Sequence, residues 1–269
     1  MPPCGCRIVV LASGAGTNLQ ALLDAERRGR LGGRIVAVLS DRPGAGALDR
    51  ARAAGKPAVL LRPDPGGPGP GRAGSSGAGG RWGTDREGEA VTGAGSGSAA
   101  GCGTGGTPPA PTPGREAWDR AILAELGRWR PDLVVLAGFM RILGPAVVAA
   151  YRNRILNVHP SLLPAFPGKD APRQALEHGV RITGCTVHFV DEGVDTGPIL
   201  LQAPVPVLAG DDAETLHRRI QAVEHRLYPA AVRLVATGRV RVEGRRVKIL
   251  GPHPRTASRR PGRAGPARG

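Results

Sequence analysis

The 269-residue chain carries a formal net charge of +15, which invites a polyanion-binding reading, because clustered basic surface is the electrostatic footprint of nucleic-acid binding. The placement of that charge argues against a specific nucleic-acid partner: from Arg239 to the last residue there are ten basic residues and one acidic, a net of +9, so most of the excess is gathered in one terminal stretch. Three Lys against thirty-four Arg, in a chain heavy in Ala, Gly and Pro, mark a compositional bias, and a solvated basic tail can meet polyanions non-specifically without that being its function.

Arg7 to Leu11 is a short β-branched run bounded by Gly-rich sequence, the pattern of a buried parallel strand. The loop Ala12-Ser13-Gly14-Ala15-Gly16-Thr17-Asn18 follows, and then a helical pattern over Ala21 to Arg28. Strand, Gly loop and helix together make an anion cradle, in which backbone N–H groups and the helix N-terminus face a phosphate. No Gly-Lys-Ser/Thr follows, so the loop is not a Walker loop, and Leu19 stands where a dinucleotide fingerprint has its third Gly. A mononucleotide or sugar phosphate, a plain tight turn, and an NAD(P)-dependent oxidoreductase with Asp41 on a ribose all stay open at this point.

Ile35 to Leu39 and Ala58 to Leu61 read as strands, with a helix over Ala47 to Ala54 between them. From Arg62 to Gly114 the sequence is dominated by Gly, Ser, Pro, Thr and Ala, with too little apolar surface to offset the entropy of ordering. It is expected to be a disordered insert, as is the Arg/Pro tail from Gly251 to Gly269. Trp118, Ile122, Leu126 and Trp129 recur at helical spacing within Glu116 to Trp129, so the tryptophans belong to the core. Asp132 to Ala137 is the most hydrophobic strand, and Gly138 to Leu143 follows it. Alternating strands and helices predict an α/β fold with a doubly wound, mostly parallel sheet in one domain, built from 1–61 and 115–250.

Ile155 to His159 reads as a strand whose polar residues are either a plain solvated strand end, the commoner case for a bare Asn-x-His, or a site of chemistry. Alternation puts Asn157 and His159 on one face, and Pro160 and Pro164 make a stiff turn at the strand end, where ligands meet open α/β sheets. An amide with fixed N–H donors beside an imidazole suits a carbonyl carbon becoming tetrahedral. A helix over Ala171 to His178 and a strand over Thr186 to Val190 come next, and His188 lies on that strand. The acidic loop Asp191 to Pro198 contains Asp195. Leu201 to Val207, interrupted by Pro204 and Pro206, reads as an edge strand. Thr215 to Ala236 is a long amphipathic helix bearing Glu224 and His225. The four Cys are scattered without zinc spacing, and the apolar run Ile8 to Ala12 is too short for a signal core or a membrane span. A reduced, cytoplasmic chain with no membrane partner is expected.

The combination Ser13-Gly14-Ala15-Gly16-Thr17-Asn18-Leu19-Gln20, Ala137 to Leu143, Asn157-Val158-His159-Pro160-Ser161-Leu162-Leu163-Pro164, Val187 to Val190 and Asp195-Thr196-Gly197-Pro198 resembles the phosphoribosylglycinamide (GAR) formyltransferase family of purine synthesis. The resemblance covers Arg7 to Leu61 and Arg115 to Leu250. Sibling formyltransferases share the Asn-x-His strand, but a methionyl-tRNA formyltransferase typically reads His-Gly-Ser and has a further C-terminal domain, and a formyltetrahydrofolate hydrolase typically reads His-His-Ser after an N-terminal regulatory domain. His159-Pro160-Ser161 with Gly16-Thr17-Asn18 favours the GAR enzyme. The resemblance implies transfer of a formyl group from 10-formyltetrahydrofolate to the amine of GAR, without a metal or a covalent nucleophile. It assigns Asn157, His159 and Asp195 to catalysis, with His188 in support. Gly16, Thr17, Asn18 and Glu224 go to GAR; Met140, Arg141, Ile142, Leu143, Asn157, Val190, Asp191 and Asp195 go to the folate. It leaves a homodimer open. The chain departs from the family pattern at Gly168-Lys169-Asp170-Ala171-Pro172, where a His commonly follows the Pro-Gly of a mobile loop.

Overall fold

The structure is a computed structural model that describes residues 5–63 and 113–251. The expected disorder of 62–114 and 251–269 concerns segments that lie almost wholly outside those residues. A seven-stranded sheet has the order β3-β2-β1-β4-β5-β6-β7, from β1 (Cys6–Leu11), β2 (Gly33–Ser40), β3 (Ala58–Leu60), β4 (Leu133–Leu136), β5 (Ile155–His159), β6 (Ile182–Phe189) and β7 (Ile199–Pro206). The first five strands pair in parallel and the last two antiparallel, so Pro204 and Pro206 do sit on an edge strand.

The uninterrupted apolar runs of the central strands follow from burial on both faces. In β1, Ile8 and Val10 pack under α1 (Thr17–Arg27), α2 (Gly46–Ala53) and α6 (Ala213–Ala236), through Leu19, Leu22, Leu48 and Tyr228. Val9 and Leu11 point the other way, against Ile122 and Leu126 of α3 (Pro113–Trp129) and Val147 of α4 (Pro145–Ala150). Strand β5 divides in the same manner: Leu156 and Val158 join the first cluster and Ile155 the second. Trp118 and Trp129 are half-buried against the α3/α4 cluster, as the helical spacing predicts.

Several boundaries differ from the sequence reading. Helix α1 begins at Thr17, directly on the Gly loop, instead of at Ala21, because Gly16 adopts φ 76° as its N-cap and the chain turns into the helix at once. Helix α3 begins at Pro113, inside the segment expected to be insert. Helix α5 (Ala171–Glu177) falls as expected. Two elements were not anticipated: the short α4, and a hairpin of β8 (Val240–Glu243) and β9 (Arg246–Ile249).

Tyr228 of α6 is fully buried, and its hydroxyl lies 2.8 Å from the Leu136 carbonyl and 3.0 Å from the Leu156 carbonyl. The helix is thereby pinned to the ends of β4 and β5, one residue before Asn157. The single O–H shared between these two carbonyls contributes about 0.5–1.5 kcal/mol net, and a larger penalty follows if the buried hydroxyl loses its acceptors.

Candidate active site

The parallel strands β1, β2, β4 and β5 end at one edge of the sheet, and β1 and β4 are adjacent where the connection order reverses. This is the crevice in which open α/β sheets bind ligands. Asn157 and His159 leave β5 on the face opposite Leu156 and Val158. In the antiparallel register Asn157 stands opposite His188 of β6. His188 Nδ1 lies 2.9 Å from the Phe189 carbonyl, an acceptor only, so Nδ1 carries the proton. Its Nε2 lies 3.3 Å from the Asn157 amide nitrogen, which ties that amide to β6.

His159 is 5% exposed and has two acceptors around its ring. Nε2 is 2.8 Å from the Phe166 carbonyl, and Nδ1 is 3.3 Å from Asp195 Oδ2. Only an imidazolium can donate to both. Burial nevertheless pushes the His159 pKa down and outweighs the opposing pull of Asp195 and of the Phe166 carbonyl, while His188 adds to the lowering. Asp195 accepts from the Gly168 N–H at 2.8 Å and has His188 Nε2 at 3.6 Å, too far for a well-formed hydrogen bond. Burial works to raise its carboxyl, but His188, the Gly168 N–H and the charge on His159 prevail and hold it below the usual carboxylate range. Asp195 is therefore no local loop cap. Asp191 has that part instead, accepting from the Gly193 N–H and the Thr196 hydroxyl. The sequence reading did not include the Phe166 carbonyl and the Gly168 N–H; the Pro167-Gly168 pair signals a turn but not which side chains its backbone will meet.

The turn after His159 is fixed to the sheet. Ser161, fully buried, donates to the Ala165 carbonyl, Thr186 donates to the Ser161 carbonyl, and the Leu163 N–H donates to the Thr186 hydroxyl. Around the turn opens a cavity of about 670 Å³ that contains Asn157, His159, His188 and Asp195 in its wall. Met140, Arg141, Ile142, Leu143, Val190 and Asp191 line the same cavity, so the expected folate residues and catalytic residues share one space. Lys169, Asp170 and Arg173 border its other side, where Asp170 is the left-handed N-cap of α5. Arg141 is no free cation: Nε is 2.8 Å from Asp41 Oδ2, and the guanidinium lies 3.8 Å from the Trp118 ring centroid. Asp41 is thereby occupied by Arg141 and by Ser13, which leaves it unavailable to the ribose of a dinucleotide.

Gly16, Thr17, Asn18 and Glu224 lie outside the wall of that cavity but come together on the α1/α6 side. No side chain caps the N-terminus of α1, and a Cβ on Gly16 would stand 2.7 Å from the Ala47 Cα. Asn18 Nδ2 donates to Glu224 Oε2 at 2.8 Å, while Asn18 Oδ1 is buried without a partner. Glu224 is 3% exposed, and burial raises its pKa against the lowering effects of Asn18 and His217. A buried carboxylate and an orphaned amide oxygen together suit a cationic or N–H-rich ligand. Neither described cysteine is poised as a thiolate. Burial, with help from Glu224, pushes the Cys185 thiol up to about 12, and burial with Asp132 pushes Cys6 to about 11.

Residues 6–232 match the formyl transferase family model. A phosphoribosylglycinamide formyltransferase of Mycobacterium tuberculosis (strain ATCC 25618 / H37Rv) is 43% identical over 244 residues, 91% of this chain and 91% of the relative. The chain belongs to the GAR formyltransferase family. Another relative, the phosphoribosylglycinamide formyltransferase of Escherichia coli (strain K12), is 38% identical over 87% of this chain and 89% of its own length. The crystal structure of glycinamide ribonucleotide transformylase 1 from Symbiobacterium toebii superposes with a TM-score of 0.73 at 47% identity, covering 93% of this chain and 96% of that one. Among the described residues no helix is long and apolar enough to cross a membrane.

Proposed function

We propose that the chain transfers the formyl group of 10-formyltetrahydrofolate to the amine of GAR, giving formyl-GAR and tetrahydrofolate, in de novo purine biosynthesis. The observation that carries this reading is the convergence of Asn157, His159 and Asp195 in one cavity with the Met140–Leu143 loop. The folate ring enters that cavity along Ile142, Leu143 and Val190, and Met140, Arg141 and Asp191 frame it. The GAR phosphate lies on the N–H groups of Gly16, Thr17 and Asn18, and the orphaned Asn18 oxygen and the Glu224 carboxylate take the glycyl amine.

The amine nitrogen attacks the formyl carbon, whose oxygen becomes an oxyanion. Asn157 donates the N–H not given to His188, and His159 exchanges the Phe166 carbonyl for that oxygen. In the surroundings described, burial keeps His159 neutral near pH 7. Negative charge on the formyl oxygen reverses that balance, so His159 takes up a proton while Asp195 favours the imidazolium and helps receive the proton leaving the amine. The oxyanion then re-forms the carbonyl as the bond from the formyl carbon to folate N10 breaks, and N10 takes the proton that His159 and Asp195 received from the amine. Holding both substrates in place and stabilising the oxyanion are the two contributions needed, since an amine is already a nucleophile.

The transfer domain comprises residues 1–61 and, from the start of α3, 113–250, and it works in the cytoplasm; sedimentation would separate a monomer from a homodimer. A spectroscopic assay of folate product tests the function, with GAR, water or initiator tRNA as acceptor. Product should form only with GAR, and Asn157→Ala or His159→Ala should lower turnover about a hundredfold to a thousandfold, the usual loss of one oxyanion donor. Equal turnover without GAR would mark a hydrolase and reject the assignment.

A further inference from the structure

Between the two proposed subsites lies a polar cluster of Ser13, Asp41 and Arg141, of which only Arg141 has a part above, as a border of the folate cavity. Ser13, 2% exposed, sits at the end of β1. Its hydroxyl donates to Asp41 Oδ1 at 2.5 Å and accepts from the Met140 N–H at 3.0 Å, and its own N–H donates to the Gly138 carbonyl at 3.1 Å. The other oxygen of Asp41, a side chain only 4% exposed, accepts from Arg141 Nε. The loop Gly138 to Ile142 has one apolar anchor, Phe139 against the α3/α4 cluster, while Met140 is 64% exposed and Ile142 56%. Its polar ties through Gly138, Met140 and Arg141 all run to Ser13 or Asp41. On its other side Ser13 leads directly into Gly14, Ala15 and Gly16. The Gly14 carbonyl accepts from the Ala47 N–H, and the Ala15 carbonyl from Arg50 Nε at 2.8 Å.

We propose that Ser13, Asp41 and Arg141 are positioning residues that couple the phosphate cradle to the formyl-donor pocket, so that either substrate raises affinity for the other. The inference rests on the two-substrate reading above. A phosphate on the cradle fixes Gly14 to Gly16, the backbone that runs directly from the buried Ser13. The two hydrogen bonds between Ser13 and the loop then order Gly138 to Ile142 before the folate arrives. The second ligand has less conformational entropy left to remove, and by linkage the effect is reciprocal. Arg141 contributes as a strut, its guanidinium held between Asp41 and Trp118.

The test is calorimetric titration of the full chain with GAR, with and without a saturating folate analogue that lacks the formyl group and therefore cannot react. The ratio of the two GAR affinities is the coupling factor. In the wild type it should be about 5- to 20-fold, within the usual range for coupled sites. Ser13→Ala should bring it within twofold of one, while Asp41→Asn and Arg141→Met should reduce it at least threefold. A merely structural role would lower the melting temperature and leave the ratio unchanged. A wild-type ratio within twofold of one, or a wild-type ratio kept by folded Ser13→Ala, would overturn the proposal. If Ser13→Ala fails to fold, the same criterion applies to Asp41→Asn and Arg141→Met. Failure of the two-substrate reading shows separately, as a wild-type chain that binds neither ligand, and it removes the coupling as well.

Discussion

His159 faces two acceptors, the Phe166 carbonyl and Asp195, in a site that penalises the second proton it would need to bond both. The neutral ring leaves one lone pair against an oxygen, and the charged ring leaves a buried cation. Burial is the larger effect, so in the unliganded protein the ring should titrate below its usual value of 6.5, as read by nitrogen NMR of the imidazole. Asp195→Asn removes a charge that favours the imidazolium and should move the titration lower still; a rise would show that Asp195 does not act on this ring. The linkage has a definite sign. A His with a lowered pKa makes the folded state less stable as pH falls from 6.5 through the folded value, because the unfolded chain binds the proton more readily. Asp195, also lowered, stabilises above 3.8, and that contribution is lost as pH falls through its own folded pKa. Both groups make the fold acid-labile. The pairing of Asn157 with His159 was readable from strand alternation, whereas the orientation of the Asn157 amide was not, since it depends on His188 from a strand that pairs across the sheet.

At the scale of elements, the cradle depends on an abrupt passage from β1 to α1. Gly16 adopts φ 76° and lies against α2, so Gly16→Val adds a β-branched side chain to a left-handed position with a Cβ only 2.7 Å from the Ala47 Cα. Strain of this kind costs about 1–3 kcal/mol, and relief requires the loop to move away from α2. The variant should bind GAR at least tenfold more weakly, while its affinity for a folate analogue, measured without GAR, stays within about threefold of wild type. Equal weakening of both would place the phosphate elsewhere. The sequence placed the loop and missed the start of its helix, since Thr17 to Gln20 are polar or isolated apolar residues that gain helical order from Leu19 packing into the core. Helix α4 is only six residues long, too short for periodicity to register. The β8–β9 hairpin is masked by its Arg and Lys residues, although Gly244, at φ 58°, sits in its turn.

At the scale of the molecule, both faces of the sheet are covered by helices from the described residues 5–63 and 113–251, and the sequence of 62–114, mostly Gly, Ser, Pro, Thr and Ala, has little apolar surface to add to that core. Joining the chain across residues 65–111 with a short flexible linker should therefore leave fold and GAR-dependent turnover largely intact, because loop closure changes by only about 0.6 kcal/mol per doubling of length. Calorimetric melting should shift by no more than a few degrees and turnover by less than twofold. Loss of soluble protein, or of most activity in a folded product, would make the segment structural.

The sequence by itself determined the α/β class, the order of the main strands and helices, the edge position of β7 and the residues on which the family resemblance rests. Those depend on local periodicity and on residues close together along the chain. Tertiary structure decided what each polar group meets: Arg141 with Asp41, 100 positions apart, Asn18 with Glu224, 206 apart, and Gly168 with Asp195, 27 apart. No local pattern encodes such partners. They follow from which strand ends the parallel crossovers bring to one edge, and from the cost of burying a charge or an amide without an answering group.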